Sequence, residues 1–309
     1  MSGQRENRVH PLRAHGLAYV LVAPTFLLLL VFVLYPAFRS LYMSLFDFNA
    51  FMTHKNFVGL ANYSLLLSSP EYWQSLSVTA LFLVFSTVPI VILSLAIALA
   101  LDANPFFRNF LRTMFLMPVA ISSAMAAMLW VFIFNPSSGY LNFLLEFARI
   151  SGPNWLGDPA WALMAVTITT VWKEVGFNVI FFVAGLSSIS TDLREAAMLD
   201  GAGAWQIFRN VTLPLLAPTI FFVCVVSVLN SFQSFGQIHI LTGGGPAGAT
   251  NTMVYNLYRD AFQNFQTGSA SAQAVILFAL MLIVTIIQFR IARTNHAAEV
   301  PPASAAKET

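Results

Sequence analysis

Residues Asp192 to Pro214, DLREAAMLDGAGAWQIFRNVTLP, form the one long polar interruption between strongly apolar segments that itself looks ordered. Asp192 with Glu195 three residues on makes a capping-box-like start. Leu193, Ala196 and Ala197 are good helix formers, and Gly201 and Gly203 end the helix. A second short helix is expected from Ala204 to about Val211, before Pro214 opens the next apolar run. The segment reads as two short helices at an angle, standing clear of a membrane. Its small residues, among them Ala196, Ala197, Gly201 and Ala202, leave the backbone approachable, which suits a docking element.

Outward from that loop the chain is apolar. Of its 309 residues 58% are hydrophobic and 9% charged, against about a quarter charged in soluble domains. Runs of 18 or more mostly apolar residues are membrane-helix candidates, and six occur, at about 17–38, 76–101, 111–134, 160–186, 213–233 and 272–291. The expected fold is an all-α membrane protein of six transmembrane helices, with the 192–214 loop between the fourth and fifth. With a cytoplasmic N-terminus, ten Lys and Arg fall inside (Arg5, Arg8, Arg13, Arg108, Arg112, Arg194, Arg209, Arg290, Arg293, Lys307) and four outside (Arg39, Lys55, Arg149, Arg259). The positive-inside rule therefore places both termini and the loop in the cytoplasm.

This divides the chain into a cytoplasmic tail, 1–16, polar, basic and expected to be disordered, a six-span domain, 17–291, and a second cytoplasmic tail, 292–309. Three arginines precede the first span as in a signal peptide, but the apolar run is too long and no A-x-A site follows, so an uncleaved anchor is expected. Cys224 is the sole cysteine, which rules out an intrachain disulfide. The net charge of +2 follows from topology and gives no hint of nucleic acid; the surrounding partner is membrane lipid.

Glu195-Ala196-Ala197, Gly201 four residues later and Val211-Thr212-Leu213-Pro214 ten after that resemble the EAA loop of bacterial ABC importer permeases, with Val where many members have Ile. FVGLANY at 57–63 resembles the segment before the second span of sugar-type and glycerol-phosphate-type permeases. RTMFLMPVAISSAMAAMLWVFIFNPSSGYLN, Arg112 to Asn142, resembles the third span and its exit. The stretches Thr242–Phe262 and Ser271–Arg290, Trp172-Lys173 and DGAGAW are most similar to the glycerol-3-phosphate branch of the family.

The resemblance implies a permease of the bacterial inner membrane. Its implied partners are a second homologous permease subunit, two copies of an ABC ATPase and an extracytoplasmic substrate-binding protein. It implies no cofactor in this chain; ATP and Mg are bound by the partner ATPase. The loop residues Glu195, Ala196, Ala197, Asp200, Gly201 and Ala202 become the candidates for coupling to that ATPase.

Lys173 and Glu174 lie near the middle of the fourth span, where a charge costs at least ~2.5–3.5 kcal/mol. Neighbours on a helix do not face each other, so a mutual ion pair is poor. Each therefore meets water, substrate or another helix. Lys173 would suit a phosphate-bearing substrate, or would clamp the partner permease. Asn178 is one turn from Glu174. Ser227, Asn230, Ser234 and Gln237 recur at three, four and three, on one helical face that looks toward a cavity or another helix. Tyr63, Tyr72 and Trp73 read as an interfacial aromatic belt. Thr242–Thr250, TGGGPAGAT, reads as a turn before a short helix, Asn251 to about Phe265.

Catalytic constellations are missing. The five histidines, His10, His15, His54, His239 and His296, show no metal-ligand spacing. None of Lys55, Lys173 and Lys307 completes a P-loop, so the chain is not the ATPase. Three functions stay open: import of glycerol 3-phosphate or glycerophosphodiesters, import of a di- or oligosaccharide, and a membrane enzyme or scaffold.

Overall fold

The computed structural model describes residues 11–48, 54–103 and 113–299. Arg5, Arg8, His10, Arg108, Arg112 and Lys307 lie outside the described residues, as do the tails 1–16 up to residue 10 and 292–309 beyond 299. The backbone is already helical at Pro11, inside the segment expected to be disordered.

Among the described residues, five helices are long and apolar enough to cross a membrane: Tyr19–Met43, Pro70–Ala103, Pro159–Ser187, Ala204–Phe232 and Thr267–Ala292. The third expected span is not a straight helix. Thr113–Ala120 and Ser123–Ile133 meet at 109°. Pro118 sits in the 3₁₀ end of the first piece. Ser122 adopts an extended conformation and caps the second piece, accepting from Met125 N, as an N-cap serine does. Taken as one broken span, the pair brings the five helices to six.

The chain divides into two compact units. In the larger one, residues 67–259 and 276 onward, helix α1 (Pro70–Ala103) packs along helix α2 (Pro159–Ser187). One face of α1 is buried at steps of three and four, with Ser75, Thr79, Phe82, Ser86, Ile90, Ser94 and Ala98. Small and hydroxylated residues at such a face let helix backbones approach. Their hydroxyls reach across: Ser86 Oγ lies 2.9 Å from Ser231 Oγ, and Ser94 Oγ donates to the Val175 carbonyl at 3.1 Å. The other face of α1, with Leu81, Val84, Phe85, Val88 and Ile92, is exposed and suits lipid. Tyr72 belongs to the buried face at 3% exposure, which corrects its reading as a belt residue; Trp73 beside it is 52% exposed.

The smaller unit, residues 1–66 and 260–275, holds the helix Tyr19–Met43, no residue of which is buried. It also holds a two-stranded antiparallel ribbon, β1 (Phe46–Phe48) and β2 (Lys55–Phe57), in register Phe46 to Phe57, so the fold is mostly rather than purely helical. Asn62 of the FVGLANY segment ties this unit by donating to the carbonyls of Ser44 (2.8 Å) and Phe46 (3.0 Å). The Tyr63 hydroxyl meets Ser44 Oγ at 2.7 Å. Buried Asp260 is satisfied by the amides of Asn264 and Gln273.

Candidate functional site

The loop of interest begins with helix α3 (Thr191–Leu199), capped by Ser190, whose Oγ accepts from Asp192 N. The cap therefore lies two residues before Asp192, the residue expected to start the helix. Gly201 takes φ +78°. Gly201 N donates to Met198 O and Ala202 N to Ala197 O, both at 3.0 Å, the paired bonds of a Schellman C-terminus. The second expected helix is not separate. It starts at Ala204, with Gln206 Oε1 accepting from Gly203 N at 2.8 Å, and runs through a π-helical turn, Phe208–Thr212, into helix α4 (Leu213–Phe232). Pro214 follows directly on that π-helical turn, where the regular ladder is already interrupted, so it does not break the run.

The loop exposes Leu193, Met198, Leu199 and Trp205, the last two at 89% and 68%. Glu195 is exposed, and Ala196, Ala197 and Asp200 follow it on the same short helix or its cap. Arg194 Nη1 pairs with Asp102 Oδ2 at 2.7 Å, tying α3 to the end of α1 across 92 residues of sequence.

A polar cavity of about 260 Å³ lies between the fourth and fifth spans and the broken third, lined by Ser123, Thr170, Glu174, Asn230, Ser231, Gln233, Ser234, Phe235, Gly236 and Gln237. Four of the expected pathway residues, Glu174, Asn230, Ser234 and Gln237, meet there. Glu174 Oε2 accepts from Asn230 Nδ2 at 3.3 Å, and Ser234 Oγ donates to Gln237 Oε1 at 3.3 Å. Gln237 reaches the cavity from a separate short helix, Gly236–Leu241, because α4 ends at Phe232 and the single helical face inferred from spacing does not exist as such.

Three expected residues stay off the wall. Asn178 is fully buried one turn below, its Nδ2 donating to the Glu174 carbonyl at 2.9 Å. Ser227 is buried at 1% exposure. Lys173 is not a lining residue; its Nζ stands 3.7 Å from Glu174 Oε1. An adjacent pair does form, contrary to expectation, because the long lysine stem can bend back; the contact is loose.

Sequence reasoning missed Thr170, Ser231 and Ser123. Thr170 lies one turn before Glu174 and Ser231 four after Ser227, so extending the same i±4 rows would have found both. Ser123 starts the second half of the broken span, and the positive end of that helix's dipole borders the cavity.

Residues 91–295 match the model of the family described as binding-protein-dependent transport system inner membrane component. The chain belongs to that family and is a multi-pass inner-membrane permease subunit, not the ATPase of such a system. It is 44% identical to the sn-glycerol-3-phosphate transport system permease protein UgpA of Agrobacterium fabrum, over 89% of this chain and 94% of that one. The UgpA of Rhizobium meliloti is 42% identical over 89% and 94%, and that of Escherichia coli O157:H7 is 37% identical over 90% and 94%. In fold the chain is similar to a subunit of a bacterial ABC transporter that imports the acidic polysaccharide alginate, with TM-score 0.80, 23% identity, and 92% and 97% of the two chains covered. A second crystal structure of an alginate ABC transporter, in complex with an alginate-pentasaccharide-bound periplasmic protein, has the same TM-score and identity, with 92% and 96% covered.

Proposed function

We propose that the chain forms half of the translocation pathway of an ATP-driven importer of sn-glycerol 3-phosphate or glycerophosphodiesters, working by alternating access. The observation that carries this reading is the 44% identity, spread over 89% of the chain, to a permease named for that substrate. The other half is a second homologous permease, two ABC ATPases bind ATP and Mg, and an extracytoplasmic binding protein delivers the ligand. The spans, with the broken third counted as one, make a six-span domain over 17–291 between cytoplasmic tails, 1–16 and 292–309. The loop 192–214 faces the cytoplasm.

The cavity chemistry fits a polyol phosphate oriented across it. Glu174 and Asn230 offer acceptor and donor groups to hydroxyls, while the helix start at Ser123 is the electropositive feature nearest the wall. Lys173, off the wall, is not needed as the phosphate partner. In this reading Glu195, Ala196, Ala197, Asp200, Gly201 and Ala202 dock the ATPase, and exposed Leu199 and Trp205 enlarge that surface.

The test is ATP hydrolysis by the purified complex with its binding protein. Glycerol 3-phosphate or glycerophosphocholine is expected to stimulate, and maltose or trehalose is not. Stimulation by a sugar alone would overturn the substrate and keep the permease.

The Asp102–Arg194 pair carries a second expectation. At 24% and 32% side-chain exposure a pair of this kind contributes roughly 0.2–1 kcal/mol to stability, so Arg194→Asp should leave expression unchanged. Coupled transport should nonetheless fall several-fold, because the pair fixes the loop against α1, and Asp102→Arg added to it should restore the rate. No rescue by the reversed pair would show that the tether does not matter.

A further inference from the structure

A second lined pocket, of about 350 Å³, lies at the start of α1, about 50 Å along a 34-residue helix from the Asp102–Arg194 pair at its end. Glu71, Gln74, Asn251, Tyr255, Arg259 and the glycine-rich turn Gly243–Gly248 line it. We propose that it is a second ligand site, distinct from the Glu174 cavity, for the phosphate and hydroxyl groups of a polyol phosphate. The choice of ligand rests on the substrate reading above.

The turn is a built wall. Gly243, Gly244 and Gly248 have φ of +58°, +79° and +74°, a region that favours glycine. A Cβ on Gly244 would strike the Tyr255 ring at 2.5 Å, and one on Gly248 would lie 3.1 Å from Gln74 Nε2. Hydroxyls pin the turn from within: Thr242 Oγ1 meets Thr250 Oγ1 at 2.7 Å, and Thr250 Oγ1 meets the Gly245 carbonyl at 2.8 Å. Gln74 Nε2 holds it to α1 through the Ala247 carbonyl at 3.2 Å.

Two lining residues each hold a buried polar atom without a partner: Asn251 Oδ1 and Arg259 Nε. Asn251 is only 3% exposed. Buried polar groups in native proteins are normally paired, and each exception calls for an explanation. Here one atom is an acceptor that needs a donor, and the other is a cationic donor that needs an acceptor. A ligand that carries both a hydroxyl and an oxyanion supplies both kinds of partner once these side chains turn toward the pocket, whereas a plain anion supplies one.

Glu71 is the charged partner of Arg259. Its Oε1 takes Arg259 Nη2 at 2.6 Å, and Asn256 Oδ1 takes the same nitrogen at 2.7 Å. The Glu71 side chain is 60% exposed, and an exposed pair of that kind is weak. It holds the guanidinium in position and gives way to a phosphate, which forms stronger charge-assisted bonds.

The experiment uses the complete transporter, both permeases with their ATPase, in nanodiscs without binding protein. It is titrated calorimetrically with sn-glycerol 3-phosphate, with glycerol and inorganic phosphate as part-ligand probes. Arg259→Gln is expected to weaken the site roughly tenfold or more, the usual consequence of losing a bond to a charged group. Glu71→Gln is expected to tighten it several-fold. Opposite signs cannot come from misfolding. Wild-type affinity in both variants, or equal weakening in both, would overturn the site and leave the substrate reading intact. Effects that appear only with the binding protein present would instead assign Arg259 to a protein contact and overturn the site. Absence of any binding to the wild type also overturns it, and the ATPase assay then separately decides whether the substrate reading falls too.

Discussion

Gly201→Asp is expected to reduce ligand-driven transport by about 5- to 150-fold, the range that losing about 1–3 kcal/mol of coupling produces. The protein should still reach the membrane at its normal level. Both halves of that expectation come from one residue. Gly201 is the left-handed residue of a Schellman C-terminus, at φ +78°, and a side chain there meets the steric cost of about 1–2 kcal/mol that L-residues incur in that region. Yet no atom lies within 4 Å of where its Cβ would be, so nothing in this chain is struck. The strain is confined to the turn between α3 and Ala204, and the new carboxylate adds to a surface that already carries Asp192, Glu195 and Asp200. A partner docked on that surface would sense both changes; the membrane spans would sense neither. Gly201→Ala, with the strain and without the charge, should lose less. Uptake into proteoliposomes, measured beside quantified membrane levels, checks the series. Normal transport by the Asp variant at normal level would remove the 192–214 loop from the coupling role.

What could be read from the sequence follows from which forces are local. Five spans announced themselves because about 20 apolar residues in a row have no other stable use, and Gly201 was readable as a helix end because a glycine after helix formers is a local signal. The break in the third span was hidden for a related reason. Hydropathy averages over the run 111–134 and is blind to Pro118 and to the Ser122 cap, although both residues are ordinary stop and start signals. Which of Lys173 and Glu174 lines the cavity could not be read from their sequence positions, since successive helical residues point about 100° apart and only packing shows that Glu174 is on the wall. Thr170 and Ser231 continue rows already read at Glu174 and Ser227, whereas Ser123 comes from a separate element that only packing brings to them. The Asp102–Arg194 pair, and the orphan atoms of Asn251 and Arg259, have no sequence signature at all.

Gly176→Leu should be the most damaging single change in the membrane core. Gly176 is buried in α2, two residues beyond Glu174. A Cβ there would fall on the carbonyl oxygen of Phe115 and within 3.2 Å of Val119 Cγ2, so the fourth span touches the first half of the broken third backbone to backbone. Overpacking a core typically costs about 1–3 kcal/mol when neighbours can rotate away. A main-chain carbonyl inside a helix cannot, so the two elements must separate. Gly185 provides the comparison on the same helix. Its Cβ would meet Thr219 Oγ1 at 2.6 Å, Leu216 Cδ2 at 2.9 Å and Thr219 Cγ2 at 3.1 Å, all side-chain atoms rather than main chain, and the Leu216 end can turn away. Gly185→Leu should therefore lower the thermal midpoint of the detergent-purified complex by less than Gly176→Leu, which is expected to leave little assembled protein to measure. The milder Gly176→Ala keeps the comparison readable, and it should still fall below Gly185→Ala. Equal midpoints for the two alanine variants would mean that the broken span yields as readily as a side chain. The close seat of Phe115 on α2 would then not be what holds the Ser123 end of the cavity opposite Glu174.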